Sequence, residues 1–197
     1  LLSPGTARAD DTPSSWRITR YDASAVFAQD GTAEVTLDFD FFFGSDEGHG
    51  PFITLPERQR VTGNPDVWRM IDVTIGEVSS GTGAATDTLV SHSDGNLVVR
   101  VGHEHMTWTG SQNYRITYKI RGLVDPDNRE SGLDEVNWQA IGPGWQVPID
   151  HAKVTIEGPG TPERVACWWG SSNENPCQAV QDGKKAVFEA GNLRPGR

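Results

Sequence analysis

Apolar and polar residues alternate one by one along much of this chain. In residues 33–41, AEVTLDFDF, every second residue is apolar and the residues between are acidic or threonine. Residues 114–121, YRITYKIR, repeat the pattern with basic residues and threonine on the polar side. Because successive side chains of a strand point to opposite faces, this period of two predicts strands that bury one face.

Asp-Gly pairs separate several of these runs, at 30–31, 94–95 and 182–183. This dipeptide supplies the positive φ angles of a tight hairpin turn, so the three pairs predict antiparallel hairpins. No segment shows a convincing helical period over more than about ten residues. We expect about nine or ten strands, at residues 16–29, 32–43, 69–78, 88–92, 96–102, 113–123, 135–141, 149–157, 164–168 and 184–190.

A sheet with one apolar face must cover that face. The pattern therefore predicts an all-β fold, an antiparallel two-sheet β-sandwich of the immunoglobulin-like kind, with an antiparallel barrel as the alternative. We expect a single domain over residues 11–197. Two long connections, 44–68 and 124–134, are predicted to be loops, and loops of this length are commonly functional or mobile.

The net charge of the 197-residue chain is −10. A strongly acidic chain is repelled by nucleic-acid phosphates and by anionic lipid, so we expect no nucleic-acid partner. The chain holds no apolar run of about 18 residues, and no membrane-spanning helix is predicted within it. We expect no cofactor.

Two features point to an oxidising compartment. Residues 7–9, Ala-Arg-Ala, fit the pattern that precedes a signal-peptidase cut, so residues 1–10 are predicted to be a signal-peptide remnant, or else a disordered N terminus. Cys167 and Cys177 are the two cysteines of the chain, and a tetrahedral zinc site would need two further ligands. We therefore predict a disulfide, which agrees with secretion.

Three histidines are candidate metal ligands. His103 and His105 would share a strand face at a spacing that metal sites use, and His92 could reach them across the hairpin at 94–95. The alternative is a polar strand end that faces water. A metal-binding sensor is therefore one function that the sequence leaves open.

Tryptophans are the stronger binding candidates, and the chain has seven of them. Trp145 follows a Gly-Pro-Gly corner, and Trp168 and Trp169 are adjacent, so one of that pair would be exposed beside the predicted disulfide. Exposed tryptophans stack on sugars or anchor protein partners. The alternative is packing in the core or at the corner.

Signals for an enzyme are weak. His49, with the nearby Asp46 and Glu47, is the one cluster that we would assign to a cell-envelope hydrolase. The sequence motifs of serine hydrolases, zinc peptidases and phosphate-binding loops are absent. We therefore predict that the chain is not an enzyme, with a hydrolase as the alternative.

Several longer stretches together resemble a known family. They are HGPFITLP, then TGSQNYRITYKIRG after Gly102, then Trp138 followed by Gly142 and GWQVPI. In this combination the chain resembles the extracytoplasmic domain of the YciQ-like predicted membrane proteins, the domain of unknown function 2207. The similarity runs from about Trp16 to the end of the chain. One departure is Thr54, near a place where the family tends to carry arginine.

The resemblance implies a bacterial or archaeal protein with a signal peptide, a β domain and transmembrane helices. This chain would then be an ectodomain outside the cytoplasmic membrane, tethered by membrane segments that are absent from it. The family carries no established catalytic residues, so none is transferred. The expected function is non-enzymatic binding or scaffolding at the cell envelope, with an unknown protein or an envelope glycan as the partner.

Overall fold

The chain folds into strands joined by turns. The computed structural model describes residues 12–61, 64–129, 131–142, 144–170 and 173–196. The predicted signal-peptide remnant lies outside these residues, and no helix occurs within them. The strands are β1 (Arg17–Phe27), β2 (Ala33–Phe42), β3 (Phe52–Pro56), β4 (Arg58–Val61), β5 (Asn64–Met70), β6 (Asp72–Ser79), β7 (Thr88–Ser93), β8 (Asn96–Val101), β9 (Ser111–Arg121), β10 (Val124–Asp125), β11 (Glu135–Val136), β12 (Ile149–Glu157), β13 (Trp168–Trp169), β14 (Asn175–Pro176), β15 (Gln178–Asp182) and β16 (Lys185–Leu193).

The largest sheet has seven strands in the order β15-β16-β12-β1-β2-β9-β6. Burial alternates along its central strands, with every second residue buried from Ala33 to Phe41 in β2 and from Tyr114 to Ile120 in β9. The pairs β1–β2 and β2–β9 are antiparallel, as predicted. One pair differs, because β1 and β12 run parallel and the sheet is therefore mixed. These two strands are far apart in sequence, so no hairpin sets their direction.

A three-stranded sheet in the order β3-β8-β7 supplies a second layer. Ile53, Leu97, Val99 and Val101 of this small sheet belong to the same buried cluster as the apolar face of the large sheet. The two sheets thus share one core, which is the arrangement expected of a β-sandwich. The prediction of an all-β fold is confirmed, while its immunoglobulin-like detail stays a prediction.

All three Asp-Gly pairs lie at hairpin turns, although Asp182 is the last residue of β15 and the turn there is formed by Gly183 and Lys184. They join β1 to β2, β7 to β8 and β15 to β16, and each of these pairs is antiparallel. In the middle hairpin both turn residues have positive φ, 52° for Asp94 and 77° for Gly95. This is the two-residue turn that matches the twist of the flanking strands, so local turn chemistry accounts for the pairing.

The prediction of a loop at 44–68 is wrong, because this connection contains β3, β4 and most of β5. Three prolines and a run of polar residues hide the alternation there, since such residues are typical of turns and edge strands. The predicted strand at 135–141 shrinks to Glu135–Val136, and the one at 164–168 moves to Trp168–Trp169. Strands of two residues are too short to show a period.

Phe39 lies at the centre of an aromatic cluster in the core. Its ring centroid is 5.6 Å from that of Tyr114, 6.2 Å from that of Tyr21 and 5.3 Å from that of Trp145. Trp145 also meets Tyr21 edge-on at 6.0 Å. Because Trp145 is 7% exposed, its burial assigns it to the core and removes it from the binding candidates.

A glycine-rich segment brings Trp145 into this cluster. A Cβ atom on Gly144 would lie 2.5 Å from Oγ1 of Thr54, so a larger residue would push the segment away from β3. Nearby, the Tyr21 hydroxyl donates a hydrogen bond to the carbonyl of Ala140 at 3.0 Å. Burial raises the pKa of Tyr21, which keeps this donor protonated. The segment is therefore a folding element that closes one side of the core.

Truncation of Trp145 tests this role. Trp145→Ala removes a buried ring, and we expect it to lower the free energy of unfolding by about 3–5 kcal/mol in urea denaturation. Trp168→Ala is the matched control, because Trp168 is 58% exposed and its loss should change stability by about 0.5 kcal/mol or less. Equal losses in the two variants would contradict the assignment of Trp145 to the core.

Candidate interaction surface

His49 does not form a cluster with its acidic neighbours. Its ring is exposed, and Nδ1 donates a hydrogen bond to the backbone carbonyl of Met106 at 2.9 Å. Asp46 instead accepts a hydrogen bond from the Ser15 hydroxyl at 2.5 Å. A catalytic histidine works with an orienting group and a nucleophile in hydrogen-bond reach, so this geometry gives no support to the hydrolase hypothesis.

The three candidate metal ligands lie apart. His92 pairs with Glu57, with 2.9 Å between Nδ1 and Oε1, while the ring centroids of His103 and His105 are 5.6 Å apart. Among the residues that the structure describes, no three or more histidine, cysteine, aspartate or glutamate side chains are grouped so as to hold a metal ion. The structure thus does not form the three-histidine site.

Cys167 and Cys177 form the predicted disulfide, with their Cα atoms 5.4 Å apart. The adjacent Trp168 and Trp169 differ as expected for neighbours in a strand, since Trp168 is exposed and Trp169 packs against the core. With Trp145 inside the core, the three candidate tryptophans do not form one flat platform.

On the solvent side of the large sheet, three aspartates converge on Arg20. Its guanidinium donates hydrogen bonds to Asp40 at 2.8 Å, to Asp22 at 2.6 Å and also to Asp38. The Asn113 amide donates to Asp38 at 3.0 Å and to Asp40 at 2.9 Å. These contacts tie β1, β2 and β9 together through their polar side chains.

The same contacts keep the carboxylates ionised. The hydrogen bond from Arg20 holds the pKa of Asp40 below its usual value, against the effect of partial burial. For Asp38, partial burial acts to raise the pKa, but hydrogen bonds from Arg20 and Asn113 outweigh it and the pKa is lowered. A general acid that works near neutral pH needs a raised pKa, and the lowered pKa of these two aspartates is the opposite. We therefore interpret the cluster as a charge network that holds the strands together.

β3 continues directly into β4 and changes its partner at Glu57. The Glu57 N–H donates to the carbonyl of Gly95 in the β7–β8 turn at 2.9 Å, and the Glu57 carbonyl accepts from the Ile71 N–H at 2.8 Å. The strand formed by β3 and β4 therefore pairs with β8 as far as Pro56 and with β5 from Arg58 onward. Because Ile53 is buried, alternation turns the even-numbered residues of β3 and β4 outward.

The outward side of these strands and of β7 carries several exposed apolar side chains. Phe52 is 58% exposed and Leu89 is 56% exposed, one on each side of Arg100. Further along the same side, Met70 is 69% exposed, with Trp68 two residues before it in β5. Clustered apolar groups of this kind mark interaction sites. We call this surface the outer face, and it consists of Phe52, Arg58, Arg60, Trp68, Met70, Leu89 and Arg100.

Two arginines of β4 stack on Trp68. The guanidinium carbons of Arg58 and Arg60 lie 4.6 and 4.5 Å from the centroid of its ring, and such cation–π contacts hold the arginine side chains in place. On the other side of the hairpin, Arg69 forms an ion pair with Asp125 at 2.6 Å. That ion pair anchors the β4–β5 hairpin to β10 and leaves its outer side open.

Arg100 lies in the middle of the small sheet, opposite Phe52 of β3 on one side and Leu89 of β7 on the other. Its Nε atom is buried without a hydrogen-bond partner, and within the described residues it forms no ion pair. Buried atoms of charged side chains are ordinarily paired. Alternation along β5 places Asp66, near the tip of the β4–β5 hairpin, on the same side as Trp68. This side of the described strands therefore carries one acidic residue and three arginines.

β7 is an edge strand with both of its faces open to solvent. All six residues of Thr88–Ser93 are exposed, and in the described structure β8 is the one strand that pairs with it. Edge strands are usually protected by lysine, proline or a bulge, and β7 has none of these. Leu89 and Val90 are exposed on its two faces, so free backbone groups lie next to apolar side chains.

Comparison with protein families agrees with the resemblance found in the sequence. A family model described as the N-terminal domain of a predicted membrane protein, DUF2207, matches residues 17–197. The chain belongs to this family. The match to DUF2207 begins with β1 and includes every strand of the fold. No curated protein matches the sequence, and no helix among the described residues is long and apolar enough to cross a bilayer.

Solved structures with a related fold include a hydrolase from yeast. Native leukotriene A4 hydrolase from Saccharomyces cerevisiae gives a TM-score of 0.52 at 10% identity, over 98% of this chain and 30% of that protein. The yeast enzyme in complex with bestatin gives 0.51 at 11% identity, with the same coverage. A putative protease from Parabacteroides distasonis gives 0.47 at 16% identity, over 92% of this chain and 36% of that one. The likeness is one of fold alone, and this chain spans about a third of the length of those proteins.

The outer face was missed by the sequence analysis. It comes from five strands, and three of them lie in the connection that was expected to be a loop. The signal that could have found it is short: Ile53 and Leu55 alternate with Thr54, and the four residues that follow Pro56, ERQR, are all polar or charged. Pro51 before this stretch and Pro56 within it masked that signal.

Because of the charge network around Arg20, we expect the free energy of unfolding to decrease at acidic pH. Because the folded-state pKa of Asp40 and Asp38 is lowered, their contribution is complete above the pKa of unfolded aspartate, about 3.9, and is lost as the pH falls through the folded-state value. Asp40→Asn should therefore be less stable than the wild type at neutral pH, with a gap in unfolding free energy that narrows in acid. Urea denaturation as a function of pH measures this gap, and a gap of constant width would contradict this origin.

Proposed function

We propose that this domain is a non-enzymatic module that binds a protein partner outside the cytoplasmic membrane. The observation that carries the proposal is the outer face, where exposed apolar side chains from both edges of the small sheet lie beside arginines. An apolar centre with a polar rim is typical of protein interaction sites. Tryptophan, methionine and arginine are also enriched at such sites.

A protein partner is favoured over an envelope glycan. Recognition of sugars by stacking uses exposed aromatic rings, and of the three candidate tryptophans Trp145 is in the core and Trp169 packs against it. Trp168 is left as a single exposed ring beside the disulfide. Phe52 and Leu89, each more than half exposed, instead flank Arg100 on the outer face, and the exposed Met70 lies further along that face, opposite Arg58.

Placement outside the cytoplasmic membrane is supported by the disulfide and by the family. Disulfides persist in oxidising compartments, and the family is one of predicted membrane proteins. A disulfide-bonded β domain of a membrane protein fits the outer side of the cytoplasmic membrane. A binding role there suits a domain that is tethered by membrane segments elsewhere in the protein.

The charged clusters support binding rather than catalysis. Arg20 holds Asp38 and Asp40 in their ionised form, and His49 is bonded to a backbone carbonyl. Neither arrangement pairs a base with a nucleophile. The likeness to the yeast hydrolase is one of fold and brings no activity to this chain.

Site-specific photocrosslinking in the full-length protein tests the proposal. Benzoyl-phenylalanine in place of Leu89 or of Met70 should capture the same discrete protein in living cells, because both positions lie on the outer face. Val26 is the matched control, since it is 52% exposed but lies on the solvent side of the large sheet. It should not capture that protein.

Competition shows whether the capture is specific. An excess of this chain added from outside should suppress the adduct, and Val26→Ser should suppress it equally well. A variant with both Phe52→Ser and Leu89→Ser should suppress it at least about fivefold less well, which corresponds to the loss of about 1 kcal/mol of binding. No adduct at either outer-face position, or an equal adduct at Val26, overturns the proposal.

A further inference from the structure

The free edge of β7 and the unpaired Arg100 together indicate the kind of partner that the outer face accepts. This inference rests on the proposed function, that the domain binds a protein. An exposed strand edge is completed by an extended segment that forms backbone hydrogen bonds with it, and the side chains on the two faces then set the specificity.

Two neighbouring rows of side chains cross the small sheet and end at β7. The rows are Phe52, Arg100 and Leu89 on the outward side, and Ile53, Val99 and Val90 on the core side. A strand added beside β7 would lengthen each row by one residue, because alternate side chains of a strand point to opposite faces.

The two rows require different chemistry. The core-side row is apolar throughout and ends at the exposed Val90, so an apolar residue of the incoming strand would lie against Val90 and cover part of its exposed surface. The outward row contains Arg100, whose Nε has no hydrogen-bond partner in the described structure. A carboxylate is the group that satisfies a guanidinium with paired hydrogen bonds.

The spacing of the strands allows this contact. Neighbouring strands lie about 4.8 Å apart, so the incoming residue opposite Leu89 has its backbone about 10 Å from that of Arg100. An arginine and a glutamate, at about 1.5 Å per bond, together span that distance across Leu89. Arg58 and Arg60 continue the positive charge along the same side, past the β7–β8 turn.

We propose that an extended segment of a partner protein, with alternating acidic and apolar residues, adds to the free edge of β7 and places a carboxylate against Arg100. Its apolar residues lie beside Val90. The rest of this chain, with its net charge of −10, repels such a segment, which confines binding to the outer face. An anionic lipid surface would also attract the arginines, but it offers no backbone groups to the edge of β7.

Fluorescence anisotropy of this chain with synthetic peptides tests the inference. The probes are a capped Glu-Val alternating peptide of about ten residues, a span set by typical strand lengths, its Gln-Val counterpart, and the Glu-Val peptide with every amide N-methylated. We expect the Glu-Val peptide to bind and the Gln-Val peptide to bind about tenfold more weakly. The N-methylated peptide should show no saturable binding, because it cannot pair with the strand edge.

Variants locate the contact. Arg100→Gln should weaken binding of the Glu-Val peptide about tenfold and leave the Gln-Val peptide unaffected. Arg164→Gln removes the same charge from an exposed position outside the outer face and should change neither affinity. Leu89→Glu places a negative charge beside the incoming carboxylates and should also weaken the Glu-Val peptide. Circular dichroism and thermal unfolding verify that each variant is folded.

Each outcome decides one part of the inference. Equal binding of the Glu-Val and Gln-Val peptides overturns the carboxylate contact, while a positive crosslinking result would leave the proposed function standing. Saturable binding of the N-methylated peptide overturns strand addition, and no binding of the Glu-Val peptide at millimolar concentration overturns both parts. Phosphatidylglycerol vesicles provide the test for a membrane surface. If they retain the chain, if Arg100→Gln abolishes that retention and if no peptide binds, the inference is overturned in favour of a membrane surface.

Discussion

The contact between Phe39 and Trp145 closes the core of this domain. Phe39 lies in β2, a central strand of the large sheet. Trp145 lies in the connection before β12, so far from Phe39 in sequence that no hairpin joins them. Tyr21 and Tyr114 pack around the same two rings, so the cluster joins β1, β2 and β9 to the connection before β12. Aromatic side chains bury a large apolar area each, and without this contact the centre of the sheet would lie open to water.

The small sheet packs on the same apolar face, but its edge strand β7 extends beyond the core. β8 buries every second residue, whereas β7 projects past the core and is exposed on both faces. A strand in that position keeps unpaired backbone groups along its outer edge. Within the described residues, the packing that closes the core thus leaves the outer edge of β7 unpaired and the Nε atom of Arg100 without a hydrogen-bond partner. We assign binding to the surface that contains them.

Charge is handled differently on the two solvent-facing sheets. On the large sheet, Arg20 and Asn113 satisfy the carboxylates of Asp38 and Asp40 within the domain itself. On the small sheet, Arg100 has apolar cross-strand neighbours and no carboxylate in the described structure. We therefore expect an acidic partner to gain the most binding free energy at the small sheet. There its carboxylate would pair with Arg100, which has no such partner within the described part of the domain.

The sequence by itself determined the long strands, the three hairpins, the all-β class, the disulfide and the family. These features are carried by local or composition-level signals, since a period of two and the Asp-Gly turn are complete within a few residues. The tertiary structure alone decided the parallel pairing of β1 with β12, the burial of Trp145 and the existence of the outer face. Each of these depends on what lies beside a residue in space. Trp145 is a core residue because it packs against Phe39. Arg100 differs from Arg20 and Arg69 because it lacks a carboxylate partner in the described structure, and no pattern along the chain encodes that difference.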